Sequence, residues 1–138
     1  HVRSRRQRQM CIRDRAKKGE NYGWKILGWG GTNYSGSKIG PKWKPGFTKA
    51  IKYWVPSIAT SAITIYKGSE FKEWNGLALV TSLKDKSLRA LDFSDLSNVK
   101  ESLIFKNKIG RLRDIQVHPE NGKIYFLAND SLWLMEKN

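Results

Sequence analysis

Histidine and cysteine are nearly missing from this sequence, and each shortage removes a class of chemistry. The two histidines are His1 and His118. His118 stands before Pro119 at a predicted strand end, with no Ser, Cys or second His at a catalytic spacing, so it reads as structural. The one cysteine, Cys11, cannot form an internal disulfide and has no thiolate metal set around it. No apolar run approaches 18 residues, so no transmembrane helix is expected. No apolar stretch follows the basic N-terminus, so the chain shows no signal peptide. Glycine-rich phosphate loops, zinc spacings and calcium-loop patterns are also lacking.

Acidic residues are scarce as well. Twelve Asp and Glu face 26 Lys and Arg, a formal net charge of +14 at pH 7. Half of that excess sits in residues 1–18, "HVRSRRQRQMCIRDRAKK", with eight basic side chains and one acidic one. A functional reading makes this arm a tail for nucleic acid or an anionic membrane. The other reading is a segment outside the fold, too poor in apolar residues to offset its ordering entropy, or no native protein at all, because "MCIRDR" resembles translated adaptor sequence. Residues 1–18 are therefore separated from residues 19–138. Basic residues of the body are not interleaved with aromatics as in nucleic-acid modules, so no nucleic-acid partner is expected.

The composition changes at Gly19. "GENYGWKILGWGGTNYSGSKIGPKWKPGF" is dense in Gly, Pro, Asn, Ser and aromatics and has no helical period. It is expected to be an ordered loop region pinned by Tyr22, Trp24, Trp29 and Tyr34. Short apolar runs follow at mostly 8- to 15-residue spacing. They predict strands at 62–67, 77–83, 88–93, 101–105, 111–118, 124–129 and 131–136, separated by turn clusters such as "KDKS", "SDLSN" and "PENG". No stretch carries an amphipathic helix. The fold class is all-β, leaving sandwich, barrel or propeller. "NGLALVTSLKDKSLRALDF" and "NGKIYFLANDSLWLME" share a pattern of Asn-Gly, strand, polar turn and strand, which suggests two similar four-stranded units of a propeller.

Three cations are candidates for chemistry. Arg111 and Arg113 stand two apart in a predicted strand, so the two-residue period puts both on one face. Guanidinium forks suit carboxylates or phosphates; alternatively both are surface residues on a solvated strand, one of them paired with Asp114 or a neighbour. Lys84 sits in "TSLKDKS", where a strand ends in a turn, and taken alone reads as a solvated turn lysine.

The segments "ENYGW", "NYSGSKIG", "YWVPSIATSAITIYKGSEF", "EWNG", "TSLKDKSL" and "GRLRDIQVHPENGKIYFLAND" fall in the order seen in the C-terminal part of soluble PQQ-dependent aldose dehydrogenases. These form the glucose/sorbosone dehydrogenase family, and the resemblance spans about residues 19–136. It implies a six-bladed β-propeller, of which this chain would cover roughly the last two blades. It implies that pyrroloquinoline quinone (PQQ) is the cofactor, its carboxylates held by Lys84, Arg111 and Arg113. Ser57 matches a cofactor-contacting hydroxyl, and Tyr53 and Trp54 match an aromatic stretch that stacks near the cofactor. Lys25 and Thr60 replace prolines of the family pattern, changes that bear on loop shape.

The same resemblance implies a calcium ion, an aldose substrate oxidised at its C1 hydroxyl to a lactone, an external electron acceptor, and a periplasmic or secreted location. The histidine base and the calcium ligands of the family lie upstream of "NYGW", and neither His1 nor His118 matches the base motif. No catalytic or metal-ligating residue is therefore expected in this chain, which alone would be inactive. The alternative is a non-enzymatic propeller that uses the same face to bind a partner or glycan.

Overall fold

The computed structural model describes residues 18–24, 26–32 and 35–137. Cys11, His1, Lys25, Tyr34 and the basic arm up to residue 17 lie outside the described residues. The chain divides into two compact units, residues 1–58 and 59–138.

The first unit has an isolated bridge, Thr32 with Lys38, and no strand or helix among its described residues. Turn bonds hold it: the Leu27 and Ile26 amides donate to the Gly23 carbonyl, the Gly28 amide to Pro41, and the Thr48 amide to Asn21. The expected aromatic pins are corrected in part. Trp24 is 44% exposed, whereas Leu27 is buried at 1%. Trp29 packs on Tyr53 with ring centroids 4.9 Å apart, and Tyr22 is half-buried. The small aliphatic residue is the anchor because the turn from Gly23 folds directly over it.

The second unit is two antiparallel sheets. The first has four strands in sequence order: β1 (Thr60–Ile65), β2 (Ala78–Ser82), β3 (Ser87–Asp92) and β4 (Lys100–Lys106). The second has three: β5 (Leu112–Val117), β6 (Ile124–Ala128) and β7 (Ser131–Met135). The all-β expectation holds, and among the described residues regular helix is limited to one 3-10 turn at Lys72–Trp74. The expected pair of four-stranded units is corrected to four and three.

Burial explains the order of the strands. All five residues of β2 are buried, as suits a short apolar run covered on both faces. β4 is an outer strand, largely exposed, with Lys100, Glu101 and Lys106 along it, charges that discourage edge-to-edge pairing. The core joins the sheets through Leu79, Leu88, Leu112, Ile115, Ile124 and Phe126, with Tyr66 and Phe71 at one end.

β1 and β5 lie side by side in the same sense. Ser61 Oγ donates to the Leu112 carbonyl at 2.7 Å where both strands start, and Thr64, Ile65, Gln116 and Val117 line one open groove where both finish. The finishing end is closed by Tyr66. Its buried hydroxyl donates to the Gly122 carbonyl at 2.8 Å and accepts the Phe71 amide at 2.9 Å. Gly122 is in the left-handed region at φ 74°, and a Cβ there would lie 2.8 Å from the Ser69 nitrogen.

Candidate functional site

The starting end of β1 and β5 collects the candidate cations. Lys84 lies in the turn at residues 83–86 between β2 and β3, and the Leu83 amide of that turn donates to the Ala59 carbonyl just before β1. Arg111 and Arg113 lie where the connection from β4 enters β5. The two segments touch, because the Asn107 amide donates to the Lys86 carbonyl at 2.9 Å. Lys84, Arg111 and Arg113 are all exposed, as are Lys86 and Lys108 on the same two segments. Among the described residues, no ion pair engages Lys84, Arg111 or Arg113, whereas Arg89, Lys106, Lys123 and Lys137 are each paired.

The local geometry of the arginines differs from a regular strand in two ways. β5 begins at Leu112, so Arg111 stands just before it rather than within it. The ladder then slips: Leu112 pairs with Ala128 and Asp114 with Leu127, leaving Arg113 as the extra residue of a bulge. Arg111 and Arg113 flank the buried Leu112 and are both exposed, but the regular strand expected to put them on one face is interrupted there by the bulge. Beyond them alternation fails, and Arg113 and Asp114 are both exposed before Ile115 returns to the core. The bulge leaves Arg113 outside the pairing of the ladder. Asp114 does not pair with either arginine; its carboxylate accepts its neighbour's amide, that of Ile115, at 2.8 Å.

Arg111 is fixed through its backbone. The Asn129 amide donates to the Arg111 carbonyl at 3.1 Å, and the Arg111 amide reaches Asn129 Oδ1 at 3.4 Å. Asn129 opens the two-residue turn between β6 and β7 in the left-handed conformation, φ 49°, which Asn tolerates well. Gly110 gives it room, since a Cβ at that position would lie 2.3 Å from Asn129 Nδ2.

The turn that carries Lys84 is held by a network that sequence reasoning missed. The Asp85 carboxylate accepts Arg89 Nη2 at 2.5 Å, Lys106 Nζ at 2.5 Å and Ser87 Oγ at 2.8 Å. Arg89 is also bonded to Glu101. Burial raises the Asp85 carboxyl, but the bonds from Lys106, Arg89 and Ser87 outweigh it and hold the group well below the usual carboxylate range. Burial lowers Arg89 in turn, and its two carboxylate partners more than restore it, so its pKa is raised. The buried Ser82 and Ser87 hydroxyls meet at 2.9 Å beneath the turn.

The remaining candidates, Tyr53, Trp54 and Ser57, lie in the first unit. Tyr53 is 42% exposed and packed on Trp29. Trp54 is half-buried with Lys52 Nζ 5.8 Å from its ring centroid, and Ser57 is exposed. His118 Nδ1 accepts the Glu120 amide at 3.3 Å and its ring tilts against Tyr125. Among the described residues, no group of three or more His, Cys, Asp or Glu is arranged to hold a metal ion.

The start of β5 and the turn beside it thus form a cationic rim that no ion pair engages among the described residues, a donor set suited to several carboxylates at once. A family model described as Glucose / Sorbosone dehydrogenase matches residues 14–133. Aldose sugar dehydrogenase YliI of Escherichia coli K12 is 32% identical over 119 residues, 83% of this chain and 31% of that protein. The crystal structure of the soluble aldose sugar dehydrogenase of Escherichia coli in its apo-form superposes with a TM-score of 0.74 at 31% identity. It covers 88% of this chain and 36% of that one. A second solved structure, a glucose dehydrogenase, gives a TM-score of 0.74 at 28% identity, over 87% of this chain and 35% of its own. The chain spans about a third of the length of these relatives.

Proposed function

The chain belongs to the Glucose / Sorbosone dehydrogenase family, where it matches a C-terminal part, and on that premise we propose that it supplies the basic clamp for the PQQ carboxylates of a sugar dehydrogenase. Its two sheets are then neighbouring blades of a six-bladed propeller, and the clamp lies at the end where β1 and β5 start. The whole enzyme oxidises an aldose at C1 to the lactone and passes electrons to an external acceptor, in the periplasm or outside the cell.

One observation carries this reading. Lys84, Arg111 and Arg113 are exposed on two hydrogen-bonded segments at one end, with no ion pair among the described residues. Like charges so placed repel one another, and an anion bearing several carboxylates relieves that repulsion. The donor set therefore fits the cofactor. When bound, PQQ would supply the hydride acceptor and calcium a Lewis acid, with Lys84, Arg111 and Arg113 holding the PQQ carboxylates.

The work of this chain is orientation and charge. Arg113, at the bulge, and Arg111, fixed by Asn129, offer forks for bidentate contact, while Lys84 adds a point charge from the neighbouring turn. Their fixed positive field also favours negative charge growing nearby during reduction, without reorganisation at that moment. Ser57, Tyr53 and Trp54 belong to the same proposal as hydroxyl and aromatic contacts.

The test is a PQQ titration of the complete enzyme. Arg113→Ala is expected to weaken reconstitution by about 1.5–3 kcal/mol, the scale of a hydrogen bond to a charged group. Unchanged affinity would remove Arg113 from the clamp.

A further inference from the structure

We infer that Asp85 is a positioning residue, one that sets the place of Lys84 for anion binding while its own charge is turned away from the anion. This rests on the clamp reading above. Lys84 has no ion pair of its own among the described residues, so its position depends on how rigidly the turn at residues 83–86 is held. Asp85 is the only residue of that turn whose side chain is tied to two strands. Through Arg89 it is bound to β3, and through Lys106 to the end of β4. Its side chain is 13% exposed, next to a lysine that is exposed.

An acid beside a lysine meant to bind an anion is otherwise a contradiction, since a free carboxylate there would repel the ligand. Two cations and the Ser87 hydroxyl cap the Asp85 carboxylate. The backbone completes the frame, with Leu83 bonded to Ala59 on one side of the turn and Lys86 to Asn107 on the other. The side chain at 85 points inward and fixes the turn; the side chain at 84 is left outside.

The sign of the effect separates this role from a field effect. Asp85→Asn removes a negative charge next to the site. If Asp85 acted only through its charge, the variant would bind PQQ more tightly. If it positions Lys84, the variant binds about tenfold more weakly, and only while Lys84 is present.

The experiment is a double-mutant cycle in the complete enzyme, read by equilibrium PQQ titration with cofactor absorbance or fluorescence, alongside thermal melting. Lys84→Ala, Asp85→Asn and the double variant are compared, with Glu101→Gln as a control that removes one nearby negative charge but leaves Asp85 bonded to Arg89 and Lys106. Support is a tenfold loss for Asp85→Asn, no further loss when it is added to Lys84→Ala, and affinity within twofold of the parent for Glu101→Gln. Tighter or unchanged binding by Asp85→Asn overturns the inference, as does an equal loss in both backgrounds or a tenfold loss from Glu101→Gln. Should Asp85→Asn fail to fold, Arg89→Lys replaces it, keeping the charge but losing the two-armed fork, with the same criteria. If Lys84→Ala alone leaves PQQ affinity unchanged, the clamp reading fails at Lys84, a different result from either outcome for Asp85.

Discussion

Removing one oxygen atom, in Tyr66→Phe, should destabilise this chain more than most substitutions on its surface. The Tyr66 ring is fully buried and its hydroxyl serves two partners, donating to Gly122 and accepting from Phe71. Both partners are buried, so neither recovers a water when the oxygen is lost. The ring itself still fits, packed edge-on against Phe71 and Trp74, so the variant keeps its apolar contacts. What remains is an orphaned amide and an orphaned carbonyl, each costing about 1–3 kcal/mol when buried without a partner. A total of about 2–6 kcal/mol is expected, a large share of the roughly 5–15 kcal/mol that stabilises a typical domain. Equilibrium urea unfolding followed by tryptophan fluorescence reads this as a lower midpoint at unchanged slope. A loss under about 0.5 kcal/mol would refute the reasoning, because it would mean that water or a rearranged loop already satisfies Gly122 and Phe71.

Two further outcomes follow from the other end of the strands. Gly110 sits at φ 83°, so Gly110→Ala forces a side chain into a left-handed conformation and pushes on Asn129 Nδ2. It should cost about 1–2 kcal/mol in urea unfolding and, on the proposed clamp, weaken PQQ reconstitution in the complete enzyme by disturbing the Asn129 contact with Arg111. The Asp85 carboxyl is lowered in the folded state, so its contribution to stability is complete above the unfolded carboxyl range near pH ~4 and is lost as pH falls below it. Melting curves of the parent and Asp85→Asn should therefore differ most at pH 5–8 (roughly the range where both states are ionised) and converge toward acid pH; a constant gap would contradict this.

The strands were legible because each is a short β-branched or aromatic run closed by a turn cluster, and every predicted strand lies within two residues of an observed one. The repeat was legible for the same reason: Asn75-Gly76 leads into β2 and Asn121-Gly122 into β6, with both glycines at positive φ. The bulge at Arg113 was not expected, although the sequence carries its trace. Leu112 and Ile115 are buried three residues apart, which a regular strand cannot place on one face. The Asp85 network was illegible for a different reason. Its partners Arg89 and Lys106 lie on two different strands, and only the register of β3 against β4 brings them to one carboxylate. Trp24 was misjudged because large aromatics signal burial only when a partner surface exists, and here the smaller Leu27 fills that place.

The two ends of β1 and β5 place opposite demands on the chain. At the finishing end, polar groups are consumed: the Tyr66 hydroxyl, the Gly122 carbonyl and the Phe71 amide satisfy one another inside the protein. At the starting end, five basic residues, Lys84, Lys86, Lys108, Arg111 and Arg113, stand exposed on two touching segments. Such a cluster opposes folding through its own repulsion, so the backbone beneath it must be fixed by something other than those side chains. Each segment has such a fixture: Asp85 with its two cations under the turn, and Asn129 against the Arg111 backbone. Neither fixture uses a residue of the cationic rim as its charged partner; Asp85 takes Arg89 and Lys106 instead. A surface selected only for stability would pair Asp85 or Asp114 with the exposed cations. Leaving them without an ion pair among the described residues, while supporting the backbone from below, is the arrangement expected of a site whose counter-anion is a ligand.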